Sequence, residues 1–215
     1  MTIRTRLTRK MVLTGAATAL VIGATAGTAL AVTATWTVTP GGAFSFSGAA
    51  KVKDVTNPAH VTASCTSVKM AGTLGKGKGL SGTGIGTITS ASFSGCKIAT
   101  LAVTVTTNGL PWKMNATSFN KTSGTTTGSI SGIDLVAAGT GCNATLDGTA
   151  AGANDGVTKI TYKNSTAKIT LLGPGGNLHT FGVAPGTCFG VLMNGDVQQA
   201  SGSGLVTPKQ TITSP

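Results

Sequence analysis

The sequence predicts an all-β, disulfide-stabilised domain, an antiparallel β-sandwich or barrel that follows an N-terminal signal-peptide helix. Three observations carry this. Only 10% of the residues are charged while 40% are hydrophobic and 32 are Gly. Disorder needs low hydrophobicity with high net charge, whereas Thr and Val punctuated by Gly fit strands joined by tight turns. Period-two alternation recurs in short runs separated by turn signals at intervals of about 8–12 residues. No window of about 11 or more residues beyond the leader has helical apolar spacing. Sandwich and barrel share these signals, and the choice stays open. A membrane barrel is disfavoured, because the strands are short and no aromatic girdle is visible.

Taken in order, TWTVTPGGAFSFS (35–47) places Trp36 and Val38 on one face. Phe44 and Phe46 follow beyond Pro40-Gly41-Gly42, so two strands flank a Gly-rich turn. Ala49 to Val55 reads as a short edge-like strand with Lys51 and Lys53 on its exposed side. Between His60 and Leu74, the residues Val61, Ala63 and Cys65 share a face. A Gly-rich segment, Gly75 to Gly86, then reads as a flexible loop leading to a strand over Ile88–Phe93. Leu101, Val103 and Val105 alternate with polar neighbours up to Asn108-Gly109, the strongest local hairpin signal in the chain. Trp112 and Met114 then share a face, and a polar link precedes a strand over Ser129–Ala138.

The second half repeats the style. Cys142–Leu146 leads to turns at Asp147-Gly148 and Asn154-Asp155-Gly156. Val157–Lys163 and Ala167–Leu172 make a hairpin across Asn164-Ser165-Thr166. Strands over Asn177–Val183, Cys188–Met193 and Gly204–Val206 complete the chain. Each half, about 35–110 and 111–207, has an early cysteine and a returning one, the pattern of a weak duplication within one domain.

The leader explains the cysteines. Met1–Ala31 opens with Arg4, Arg6, Arg9 and Lys10, continues uncharged, and ends on Ala29-Leu30-Ala31. A basic head, an apolar middle and an A-x-A exit form a secretory signal, with cleavage read from Ala29 and Ala31. A cut after Ala34 is an alternative. Retention as an anchor is the rival, since Met11–Val32 reaches the roughly 20 residues of a spanning helix. Gly and Thr dilute that run, and no basic stop-transfer cluster follows it. Export leaves residues 32–215 as one extracellular domain in which thiols oxidise. Cys65, Cys96, Cys142 and Cys188 then read as two disulfides. Nearest-neighbour pairing, Cys65–Cys96 and Cys142–Cys188, is favoured because each bridge closes one local meander. Their spacing gives no metal-site pattern.

Beyond the leader there are 12 Lys and no Arg against five Asp and no Glu, a net charge near +7. Without the guanidinium fork, nucleic-acid recognition loses its usual reader. Scattered lysines favour a solvated surface with attraction for an anionic cell-envelope polymer.

Chemistry is sparse. Gly77-Lys78-Gly79-Leu80-Ser81-Gly82 spells G-x-G-x-x-G, but a phosphate cradle needs a helix at its end and a β-pattern follows. The G-x-S-x-G elbow is absent, since Gly128-Ser129-Ile130-Ser131-Gly132 has Ile at its centre. Only His60 and His179 could act as a base. Asp147, Asp155 and Asp196 could form an oxygen site for a cation, yet each sits beside Gly or Asn as in ordinary turns. No catalytic residue, cofactor or metal is assigned.

The stretches TWTVTPGGAFSFSG, LSGTGIGTITSASFSGC, GLPWKMNA, GGNLH and TPKQTITSP resemble a group of small secreted β-rich proteins of actinobacteria to which no activity is attached. The resemblance implies a cysteine-bearing extracellular β-domain and brings no catalytic residues with it. The expected function is a secreted, non-catalytic binding or structural protein of the cell surface. Its partner would be an anionic envelope polymer or a small apolar ligand, with no nucleic acid and no stable membrane insertion after cleavage. One alternative is a β-barrel carrier of a small apolar ligand lined by Trp36, Phe44, Trp112 and Phe181. Another is a secreted hydrolase using His179 or an Asp pair.

Overall fold

The computed structural model describes residues 35–56 and 61–214. The leader, Ala29, Ala31, Ala34 and His60 lie outside the described residues. The described residues form one compact unit. Its strands are β1 (Trp36–Thr39), β2 (Gly42–Asp54), β3 (Thr62–Leu74), β4 (Gly77–Leu80) and β5 (Gly86–Ile98). They continue as β6 (Leu101–Ala102), β7 (Thr104–Asn108), β8 (Trp112–Asn120), β9 (Thr125–Gly139) and β10 (Cys142–Asp147). The last are β11 (Gly156–Lys163), β12 (Lys168–Gly173), β13 (His179–Phe181), β14 (Gln198–Thr207) and β15 (Thr211–Thr213).

Eight of them close into an antiparallel barrel in the order β9-β11-β12-β14-β2-β3-β5-β8, because β8 returns to pair with β9. The fold is therefore a barrel rather than a sandwich. Both sequence halves contribute to it, with β14 pairing β2 from Gln198↔Asp54 to Thr207↔Ser45. Period-two alternation points Phe44 and Phe46 inward and leaves Ser45, Ser47, Lys51 and Lys53 exposed outside. That polar outer face is the reverse of the apolar band of a lipid-facing barrel. Among the described residues no helix is long and apolar enough to cross a membrane.

A small sheet, β15-β1-β4, caps the barrel and buries Trp36, Val38 and Ile212 in the same core as Phe44 and Phe46. It is fastened by polar contacts with deeply buried partners. The Tyr162 hydroxyl donates to the Gln210 carbonyl at 2.8 Å and accepts from the Gln210 N–H at 3.0 Å. Asn164 Nδ2 donates to the Ile212 carbonyl while its Oδ1 accepts the Ile212 N–H.

The long strand β9 serves two sheets. Its first half pairs with β8 and β11, and its second half with β7 and β10. The switch is a bulge, where Gly156 and Val157 face Ile133 and Ser131 and skip Gly132. Gly132 has φ 86°, a conformation that favours glycine. The extra residue moves the inward face from Ile130 to Ile133 and Leu135.

Several local expectations are corrected by these pairings. The stretch read as an edge over Ala49–Val55 lies, up to Asp54, in β2 between β14 and β3 and is not an edge. The Gly75–Gly86 segment contains β4, which pairs with β1 in the cap. Asn108-Gly109 does turn, with Gly109 at φ 62°, yet β7 and β8 do not pair with each other. They bond to different halves of β9, so the turn transfers the chain from flank to barrel. Cys188–Gly190 is a 3-10 turn, not a strand, since Cys188 and Phe189 have φ of 50° and 56°. The fifteenth strand, at Thr211–Thr213, follows the last one read from the sequence.

Candidate functional site

An eight-stranded barrel is just wide enough to be filled by side chains or to hold one small ligand. This one does both, at different ends. Near the cap the inward positions are large: Phe44, Leu74, Met114, Tyr162 and Ile212 leave a gap of only about 30 Å³. Towards the other end, inward positions on β2, β3, β9 and β14 shrink to Ala50, Ala63, Ala137 and Ala200. A cavity of about 160 Å³ opens there, partly open to the surface. Its wall is apolar, with Phe46, Val68, Met70, Trp112, Ile130 and Leu178 as large contributors. Lys97, itself exposed, is the one charged residue of the wall among the described residues. A space of this size compares with an engineered apolar cavity of about 150 Å³ that stays dry and binds benzene.

Both disulfides lie at this end. Cys65 and Cys96 are directly opposite on β3 and β5, with Cα atoms 4.0 Å apart, and both touch the cavity. Cys142–Cys188 ties the start of β10 to the 3-10 turn. It belongs to a second apolar cluster with Ile98, Val183 and Leu192, and Leu192 reaches the cavity wall.

Of the four aromatic residues expected to line a ligand site, the structure places them apart. Trp112 is in the cavity wall, and Phe44 borders the small gap under the cap. Trp36 is buried in the cap itself. Phe181 is half-buried on β13 with its ring centroid 6.3 Å from that of His179, away from the cavity wall. Sequence reading missed Thr158 and Gln198. Both are buried and both line the cavity. Thr158 was legible in part, since it shares the inward alternation of Ile160 and Tyr162 on β11.

The acidic residues are structural. Asp147 Oδ1 accepts the N–H groups of Gly148, Asp155 and Gly156, and its Oδ2 accepts that of Asn154. Asp147 thus organises the 148–156 loop. Burial, followed by the Asp147 charge, pushes Asp134 up, against a hydrogen bond from Asn108. Hydrogen bonds from Thr149 hold Asp155 down. Burial also raises Asp196, opposed by the Met193 N–H and reinforced by a hydrogen bond and charge from Asp54. His179 sits opposite Asp147 in the strand register. Its Nδ1 nevertheless contacts the carbonyls of Gly148 and Asn177 at 2.8 and 2.7 Å. Both carboxylate oxygens of Asp147 are taken up by backbone amides of the 148–156 loop, and among the described residues no hydrogen bond joins Asp147 to His179, so the two form no base-and-orienter pair. Among the described residues no group of three or more His, Cys, Asp or Glu could hold a metal ion.

A family model described as alkane oxidation protein activator, PraA/PraB-like, matches residues 8–213. The chain belongs to that family. The match takes in every strand of the barrel, its cap and both disulfides. The PraA/PraB-like family is named as an activator rather than as a catalyst, and for an alkane-related process, which is more specific than the resemblance to small secreted β-rich proteins implied. No curated protein and no solved structure matches the chain.

Proposed function

We propose that this chain is a non-catalytic, exported carrier whose barrel takes up a small apolar molecule of the hydrocarbon class that alkane oxidation consumes. One observation carries the reading: a cavity of about 160 Å³ with an almost wholly apolar wall, in a member of a family described as activating alkane oxidation. Sequestering a hydrocarbon segment is what such a wall does best. Burial is worth about 0.8 kcal/mol per CH₂, so a segment of roughly six carbons gains about 5 kcal/mol. That corresponds to a dissociation constant on the order of 0.2 mM before any further contact. A weak, reversible affinity suits delivery rather than storage. Two disulfides favour an oxidising compartment, in keeping with the leader.

The test is titration of the protein with hexane, followed by Trp112 fluorescence and by methyl NMR shifts of residues such as Leu178 and Val68. Saturable shifts confined to the cavity residues are expected. Binding that does not saturate, or shifts spread over the outer face, would end the carrier reading.

The cell-surface reading draws on a second observation. Lys51, Ser64 and Lys97 form one cross-strand row on β2, β3 and β5, with Lys53 beside it. Such a row favours an anionic polymer, and retention on isolated cell-envelope polymer that falls steeply with salt is its test.

A further inference from the structure

Three residues in the cavity wall carry a deeply buried polar atom with no hydrogen-bond partner: Trp112 Nε1, Thr158 Oγ1 and Gln198 Nε2. Their residues are 3%, 4% and 6% exposed. Buried polar groups are nearly always paired, and a lone exception calls for a reason. Three of them around one apolar cavity call for a common one.

The three residues are linked around the wall through strand pairing and backbone hydrogen bonds. Thr158 on β11 is directly opposite Ile130 on β9, and Ile130 is opposite Met114, two residues beyond Trp112 on β8. The segment Asn177-Leu178 runs between the other two. Asn177 N–H donates to the Val157 carbonyl beside Thr158, and Gln198 N–H donates to the Leu178 carbonyl. The indole of Trp112 has Cδ1, the neighbour of its Nε1, 3.8 Å from where a Cβ of Gly132 would stand, at the bulge that turns the β9 seam.

Their chemistry is also one-sided. An indole N–H only donates, an amide nitrogen only donates, and a hydroxyl does either. The complementary group is an oxygen that accepts from the indole and the amide, while the hydroxyl adapts as donor or acceptor. Among the described residues no cation is buried beside them, because Lys97, the one charged wall residue, is exposed. A carboxylate would therefore be desolvated without a counter-charge.

We infer that the ligand held in this barrel is an alkyl chain bearing one uncharged oxygen head, a primary alcohol or aldehyde, rather than a bare alkane. Its head is bound by Trp112, Thr158 and Gln198. This rests on the carrier reading and deepens it. The molecule carried would be a product of the first or second oxidation of an alkane, so the reaction that supplies it is a terminal hydroxylation or the oxidation of the alcohol that follows.

The experiment compares hexane, 1-hexanol and hexanoate by calorimetry on the intact disulfide-bonded chain, with Thr158→Val and Gln198→Met as separate, nearly isosteric variants. Near-ultraviolet circular dichroism checks each fold. The expected result is 1-hexanol bound at least as tightly as hexane and hexanoate at least tenfold more weakly than 1-hexanol. Each variant should lose about tenfold for 1-hexanol while keeping its hexane affinity. If hexane binds tenfold better than 1-hexanol, or if the variants leave the ratio unchanged, the inference is overturned while the carrier reading stands. If none of the three binds, both fall.

Discussion

Filling the cavity should strengthen the protein and disable it. Ala200 on β14 is the position of choice, being 7% exposed, inward-facing and part of the cavity wall. Ala200→Leu adds three carbons that find apolar neighbours in Phe46, Val52 and Leu171 around the same space. At about 0.8 kcal/mol per buried CH₂ the gain is about 2.4 kcal/mol. Fixing a leucine side chain returns about 0.5–1 kcal/mol of that. A net stabilisation of about 1.5 kcal/mol follows, which for a domain of this size raises Tm by about 3–6 °C. The same three carbons displace about half of a six-carbon ligand segment, so hexane should bind roughly fifty-fold more weakly. Urea unfolding and calorimetric titration on one preparation read both numbers. A variant destabilised by about 1–3 kcal/mol, as overpacked cores are, and binding hexane like the parent would refute the reasoning, because the space would then be neither empty nor the ligand's.

Two further outcomes concern the cap and the acids. Tyr162→Phe removes both hydrogen bonds between the Tyr162 hydroxyl and the buried Gln210 backbone. The loss should be about 1–3 kcal/mol, seen as a lower urea midpoint with binding of cavity ligands unchanged. Asp196 has its folded pKa raised, by burial first and then by Asp54. Its contribution is therefore fully present below its ordinary value of 3.8 and is lost as pH rises through the raised one. Asp196→Asn should remove that part of the pH dependence, so the variant's advantage over the parent grows from pH 4 to pH 7. An advantage that does not change with pH would count against a raised Asp196.

The architecture was legible in the sequence wherever a strand has one wet and one dry face. Phe44 and Phe46 against Ser45 and Ser47 declare β2, and Val157–Lys163 with Ala167–Leu172 declare the hairpin around Asn164. Closure was not legible, because it depends on β9 pairing with both β8 and β11. No local signal encodes a partner that distant. Asn108-Gly109 misled for a related reason: a dipeptide fixes a turn, but which strand each arm then joins is decided by burial elsewhere. The candidate site was legible only as a list of aromatic rings, and of these Trp112 alone lines the cavity. What makes the cavity is the opposite of aromatic bulk, namely alanines at inward positions of four strands. Small residues leave no periodic mark of their own, so their meaning appears only when the barrel brings Ala50, Ala63, Ala137 and Ala200 to one end.

That cavity has a cost, and the disulfides stand where it falls. At about 24 cal/mol per Å³ of unfilled volume, a 160 Å³ space weakens the fold by about 4 kcal/mol. Bridges spanning 31 and 46 residues each contribute roughly 3.5–4 kcal/mol in the chain-entropy account. One bridge is therefore about enough to offset the hole, and both are at its end of the barrel. Cys65 and Cys96 form part of its wall, and Cys142–Cys188 packs with Leu192, which reaches into it. The cap end has no bridge and is held by packing around Trp36, Val38 and Ile212. Reduction should accordingly loosen the barrel unevenly. Under a thiol reductant, hydrogen exchange should quicken first at β10 and at the ends of β3 and β5 around Cys65 and Cys96. The amides of β1 and β15 should keep their protection longest. Saturating ligand should slow the early phase, since filling the hole restores what the bridge supplied. Uniform exchange across both ends would mean that the bridges support the whole barrel and not the cavity in particular.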